Sequence, residues 1–229
     1  SIGMYVGAGG PQINVKNNQI SEATTEGIWL WDTSGQLATA DLDVQGNTIL
    51  TTDTSDSGSA EIKIRTAPDS MASTDEDPNA TPDLSQIAQD LLAANTDATT
   101  VQLWNGLTYN DQGQILVADG GSIQNAIDNA QAGDEIVVAD GTYTGDLTLD
   151  KDITLLGAQA GVDAKGRDVE VTTGETTIEG TIQVTAPDAT IDGLRVEASG
   201  SAPINATDDA TNFTLTITIL DHEGGGTSL

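Results

Sequence analysis

The sequence contains no cysteine, which excludes disulfide staples, thiolate metal sites and a cysteine nucleophile. Its single histidine, His222, excludes a two-histidine metal site within the chain. Cations are scarce: 7 lysines and arginines stand against 36 aspartates and glutamates, for a formal net charge of −29. Such a surface repels phosphate backbones and anionic lipid headgroups, so neither nucleic acid nor a membrane surface is an expected partner. No apolar run reaches the roughly 18 residues of a membrane-spanning helix. Aromatic residues make up only 3% of the chain, which leaves Ile, Val and Leu to build a core.

An acidic chain is either disordered by self-repulsion or folded, with a surface that stays soluble at high salt and gathers divalent cations. The regular spacing of Ile, Val and Leu favours the folded state. A cysteine-free, acidic, Thr-rich and Gly-rich composition points to a bacterial extracellular or cell-surface location. The chain opens at Ser1 without Met, a basic segment or an apolar segment. Any export signal is therefore expected to have been removed, to lie elsewhere in a longer precursor, or to be C-terminal.

Residues 1–66 hold short strand-like runs, "INVKNNQI", "GIWLWD", "LDVQGNTIL" and "AEIKIR", each bounded by Gly, Asn, Asp or Ser. "INVKNNQI" and "LDVQGNTIL" match in pattern, which is a repeat signature. In stacked repeats the apolar residues point inward. Asn18 and Asn47 are expected at corners, in left-handed geometry and bonded to each other.

Residues 67–118 read as a Pro-rich linker, then a helix from Asp83 with Leu84, Ile87, Leu91 and Leu92 on one stripe, then a hairpin of "TTVQLW" with "QILVA". Residues 119–220 open with a helix capped by Ser122, carrying Ile123, Ala126, Ile127 and Ala130 on one face and ended by Gly133. Strands follow in quick succession. Alternation predicts Leu147, Leu149, Ile153, Leu155, Ile178, Ile182, Val184, Ile191, Leu194 and Val196 inside, with Thr148, Gln183, Asp192, Arg195 and Glu197 outside. The Glu-Gly and Asp-Gly pairs in "IEGTIQV" and "IDGLRV" mark corners. Residues 221–229 read as a flexible Gly-rich tail.

The stretch "SIQNAIDNAQAGDEIVVADGTYTGDLTLDKDITLLGAQAG", residues 122–161, resembles the N-terminal cap and first turns of right-handed parallel β-helix proteins of the pectin-lyase-like superfamily. Its continuation to about residue 200 resembles the version found in large exported bacterial surface proteins. The resemblance implies an all-β fold: a right-handed parallel β-helix, or solenoid, with a short N-terminal capping helix, and one further helix between two β segments. It also implies structural roles for Ser122, Ile123, Ile127, Gly133, Gly141 and Gly157. Whether residues 1–66 and 119–220 form one solenoid or two stays open.

That superfamily carries lyases, hydrolases, esterases, adhesins and surface proteins, so function rests on residues. A methylesterase reading lacks its Gln-Asp pair in a strand, since Gln89-Asp90 falls in the predicted helix. A lyase reading has only Lys151, Lys165, Arg167 and Arg195 as cations in the matched region, on an acidic surface that repels polyuronates. A glycoside hydrolase needs two placed carboxylates, and no aspartate motif singles out a pair. No catalytic residue is assigned. Trp29 and Trp31 share a strand face and are candidate carbohydrate contacts, with Trp104 as a third sugar-stacking residue. "DLTLDKD" and "NATDD" offer oxygen ligands for Ca²⁺, His222 stands between Asp221 and Glu223, and no metal site is assigned. The expectation is a non-enzymatic structural protein of the bacterial surface, a surface-layer, filament or adhesin-stalk component, that associates with itself or with neighbouring β-helical units. The competing reading is a polysaccharide-active enzyme or carbohydrate-binding module contacting a surface glycan.

Overall fold

The computed structural model describes residues 3–8, 13–23, 26–32, 42–51, 61–65, 84–103, 106–167, 173–199, 202–216 and 218–222. The expected linker at 67–82, Trp104 and residues 223–229 of the tail lie outside the described residues. Asp221 and His222, expected in that tail, belong instead to a strand. The fold is dominated by β-strands in parallel sheets, with two α-helices among the described residues, and is compatible with a β-helix-like architecture. The chain divides into two compact units, Ser1–Gln114 and Ile115–Leu229.

In the first unit, β1 (Met4–Ala8) pairs in parallel with β4 (Ile28–Asp32), which pairs with β7 (Ile62–Arg65). Between them, β2 (Ile13–Lys16) pairs with β5 (Leu42–Gln45), and β3 (Gln19–Ala23) pairs with β6 (Thr48–Thr51), again in parallel. Each strand thus meets the strand three later in the chain. Side-chain alternation explains the choice of face: Ile13 and Val15 are buried while Asn14 and Lys16 are exposed. Ile28 and Leu30 stack on Ile62 and Ile64, all four fully buried, at roughly 25 cal/mol for each Å² of apolar surface removed from water.

The corner between β2 and β3, and that between β5 and β6, turn on left-handed residues. These are Asn17 and Gly46, one position before the expected Asn18 and Asn47. The left-handed residue turns the chain from one sheet into the next, and the asparagine that follows bonds between layers. Asn18 donates to Asn47 Oδ1 at 2.8 Å, and Asn47 donates to Asn95 Oδ1 at 2.7 Å. Asn95, absent from the expected ladder, follows helix α1 (Leu84–Ala93) and also donates to Leu91 O at the helix end. Thr96 then bridges in parallel to Thr48. The segment expected to stand apart between two β segments therefore adds a layer to the first. Helix α1 buries Ala88, Leu91 and Leu92, while Leu84 and Ile87 are half-buried.

The expected hairpin is shifted. Strand β8 (Thr100–Gln102) pairs in parallel with β7 and antiparallel with β9 (Thr108–Asn110), inside the segment read as a connection. Tyr109, fully buried in β9, supplies the apolar anchor that the polar look of "LTYN" conceals.

In the second unit, β10 (Ile115–Val117), β11 (Glu135–Val138), β14 (Thr154–Leu156), β17 (Thr190–Asp192) and β20 (Thr214–Thr216) form one parallel series. A second joins β12 (Gly141–Thr144), β15 (Thr176–Glu179), β18 (Leu194–Ala198) and β21 (Ile219–His222). A third joins β13 (Leu147–Leu149), β16 (Ile182–Val184) and β19 (Ile204–Ala206). All ten residues expected inside are buried. They stack in register, as in Leu155 on Ile191 and Ile178 on Val196.

Helix α2 (Ile123–Asn129) packs on β10, β11 and β13 through Ile123, Ala126 and Ile127. Ser122 Oγ accepts from Asn125 N at 3.1 Å. The helix ends at Asn129 with Ala130 as its C-cap, three residues before the expected Gly133. Gly133 has φ +94° in the turn that follows, where it donates to Asp152 O. Ala130 already returns its N–H to the last turn, so no left-handed glycine is needed to close it. Lys151 Nζ donates to the carbonyls of Ile127, Asp128 and Ala130, placing a cation at the negative helix end.

Candidate functional site

Strand β4, "IWLWD", turns Leu30 into the core and leaves Trp29 and Trp31 on the opposite face. Parallel register then brings Tyr5 and Lys63 to either side of Trp29. Tyr5 meets Trp29 edge-on, with centroids 5.5 Å apart at 89°. Trp29 and Trp31 are nearly parallel, at 5.9 Å and 14°. The Lys63 ammonium sits 5.6 Å from the centre of the Trp29 ring and 3.3 Å from Glu26. Tyr5 is 54% exposed and Trp31 40%, so the two outer rings face solvent while Trp29 anchors them. Gly7 lies opposite Trp31 in the register.

The Trp29 indole Nε1 is buried without an acceptor among the described residues. A buried donor left unbonded costs about 1–3 kcal/mol. Trp29→Phe is therefore expected to be neutral, or to stabilise by up to about 1 kcal/mol despite the smaller ring, in a urea melt. A loss above about 2 kcal/mol would show that the indole N–H has a partner.

Arg195, expected outside, is 3% exposed. Its guanidinium pairs with Glu197. Alongside it Thr177 is buried, and Arg167 pairs with buried Glu175 and donates to Leu194 O at 3.2 Å. Alternation chose the correct side of β18, but that side is covered. An arginine held in this way cannot neutralise an incoming uronate without losing its carboxylate partner.

The remaining candidates are structural in their surroundings. A cleft of about 320 Å³ runs beside Ser122, Gln124, Tyr143 and Asp146. Gln124 bonds both the N–H and the carbonyl of Thr148 across the strand. Gly141, at φ +148°, would carry a Cβ 2.4 Å from Asp119 Oδ1, and a Cβ at Gly157 would lie 2.4 Å from the Gly193 carbonyl oxygen. Only glycine fits Gly157 against the backbone of the next layer.

Tyr143 donates to Ala139 O at 3.1 Å, and burial pushes its hydroxyl up to about 12, helped by Asp119 and Asp140. The unfolded chain releases this proton near pH 10, before the folded one does, so the stability tied to it is complete below pH 10 and is lost as pH rises toward 12. Tyr143→Phe is expected to lose about 1 kcal/mol at pH 7 and to weaken that alkaline decline, read by melts from pH 7 to 12. An unchanged decline would place its cause elsewhere.

Among the described residues, no group of three or more His, Asp or Glu side chains is placed to hold a metal ion. The carboxylates are instead drawn into turns. Asp146 accepts from the N–H and hydroxyl of Thr181 at 2.7 and 2.8 Å, which holds its carboxyl below the usual range. Asp43 is lowered likewise by Lys16 and Gln45.

Sequence reasoning singled out Trp29 and Trp31 as candidate carbohydrate contacts and did not single out Tyr5 and Lys63, which the register places beside them. Their signal is the alternation in "MYVGA" and "EIKIR", which becomes legible only once the register is known. What fold and site define together is a β-dominated protein of stacked parallel sheets with an aromatic surface face. No family model, no curated protein and no solved structure matches the chain.

Proposed function

We propose that this chain is a right-handed parallel β-helix of the pectin-lyase-like kind, acting as a non-enzymatic structural component of a bacterial cell surface and joining other β-helical units end to end. The observation that carries this reading is the far edge of the second unit. The inward ladders Leu155–Ile191–Leu215 and Ile178–Val196–Leu220 end at Leu215 and Leu220, 39% and 47% exposed. Among the described residues, β19, β20 and β21 each pair on one side only. An edge with free backbone groups and an uncovered apolar ladder is a template for a further layer. Helix α2 covers three strands of the same unit but contacts neither β20 nor β21 among its principal partners, which leaves that edge for an incoming unit. Such a head-to-tail contact is heterologous and propagates.

Further support comes from three of the four cations of the second unit. Lys151, Arg167 and Arg195 are all engaged in helix-end or ion-pair contacts. Electron microscopy and sedimentation of the purified chain, in Ca²⁺ and in chelator, test the proposal. Oligomers or filaments are expected, lost on Leu215→Lys together with Leu220→Lys. A monomer in every condition would oppose it.

A further inference from the structure

We infer that the face formed by Tyr5, Trp29 and Trp31, with Lys63 at its edge, binds a neutral polysaccharide. The chain holds 3 tryptophans, 3 tyrosines and 1 phenylalanine, and its described core is aliphatic apart from Tyr109 and Tyr143. Two of those tryptophans and one tyrosine gather on a single solvent-facing surface. Three of seven such rare residues gathered on one exposed cluster mark a recognition surface.

The chemistry of the occupant follows from geometry and charge. Tyr5 and Trp31, the two solvent-facing rings, can meet sugar rings of one chain, with Trp29 packed between them. The apolar C–H faces of sugars pack on aromatic rings, while Lys63, fixed against Glu26 at 3.3 Å, holds the Trp29 ring in place. An anionic glycan meets a chain of net charge −29 and is repelled. The Lys63 ammonium at the face is already neutralised by Glu26. A neutral glycan meets neither barrier.

Affinity electrophoresis through gels containing hydroxyethylcellulose, xyloglucan or galactomannan tests this, with polygalacturonate and chitosan as charged controls. Retardation is expected in at least one neutral gel and not in polygalacturonate. Trp31→Ala, at an exposed position, should keep the wild-type thermal melt and weaken the retardation at least tenfold, and Tyr5→Ala at least threefold. Failure to bind any neutral polymer, binding to chitosan alone, or wild-type retardation of both variants would overturn it. So would loss of oligomers, rather than of retardation, in Trp31→Ala, since that outcome assigns the face to a second copy. The Leu215 and Leu220 variants are expected to bind glycan normally, so the two proposals fail separately.

Discussion

Asn47→Ala is expected to destabilise the first unit by about 3–5 kcal/mol, more than any single surface change, with loss of amide protection across β2, β3, β5 and β6. Asn47 is fully buried at the centre of the ladder. Its Nδ2 donates to Val15 O at 2.9 Å and to Asn95 Oδ1, and its Oδ1 accepts from the backbone and side-chain nitrogens of Asn18. Alanine leaves Asn18 N without its acceptor and takes one donor each from Val15 O and Asn95 Oδ1 inside the stack, and a buried group left unbonded costs about 1–3 kcal/mol. Asn47→Asp sharpens the test. An aspartate there would set its oxygens against Val15 O and Asn95 Oδ1, both acceptors, and so would hold its proton in the folded state. A raised folded pKa means stability present below the unfolded carboxyl value of about 3.9 and lost as pH rises past it. The aspartate variant should therefore be closest to wild type in acid. Asn18→Ala, at a half-buried rung, should cost about 1 kcal/mol. Equal and small effects at both positions in urea melts would remove the ladder from the account.

The second large effect concerns salt. With a net charge of −29, self-repulsion opposes every compact state, and the cations Lys16, Lys63, Arg167 and Arg195 are spent on local ion pairs. Screening shortens from about 10 Å at 0.1 M to about 3 Å at 1 M ionic strength. Raising NaCl from 0.05 to 2 M is expected to lift Tm by about 10 °C or more, equivalent to about 3–5 kcal/mol for a chain of this size. Circular dichroism melts across that range check it. A flat or falling Tm would mean that specific pairs outweigh repulsion.

The interior of the second unit was legible in the sequence because strand alternation is local: Leu147 to Val196 could be assigned inside without knowing any partner. What covers the outside was not legible. Arg195 alternates outward as expected, yet it is buried beside Thr177 and close to Arg167, which reaches it from a distant part of the chain. Asn95 was hidden for a related reason, since it follows a helix and carries no strand pattern, and joins the ladder only through the register of Thr48 with Thr96. The aromatic face was half legible: one strand displayed two tryptophans, but Tyr5 and Lys63 arrive by pairing.

The central claim is a stack of parallel layers in register, and the absence of cysteine allows a direct measurement of it. Thr148, Gln183 and Asn205 are exposed and occupy successive layers of β13, β16 and β19. Adjacent parallel strands lie about 4.8 Å apart, within disulfide reach, whereas alternate layers lie beyond the roughly 7 Å limit. Under mild oxidation, the pairs Thr148→Cys with Gln183→Cys and Gln183→Cys with Asn205→Cys are expected to form intramolecular disulfides, and Thr148→Cys with Asn205→Cys is not. Cross-linking of the outer pair, or of none of the three, would contradict the stack.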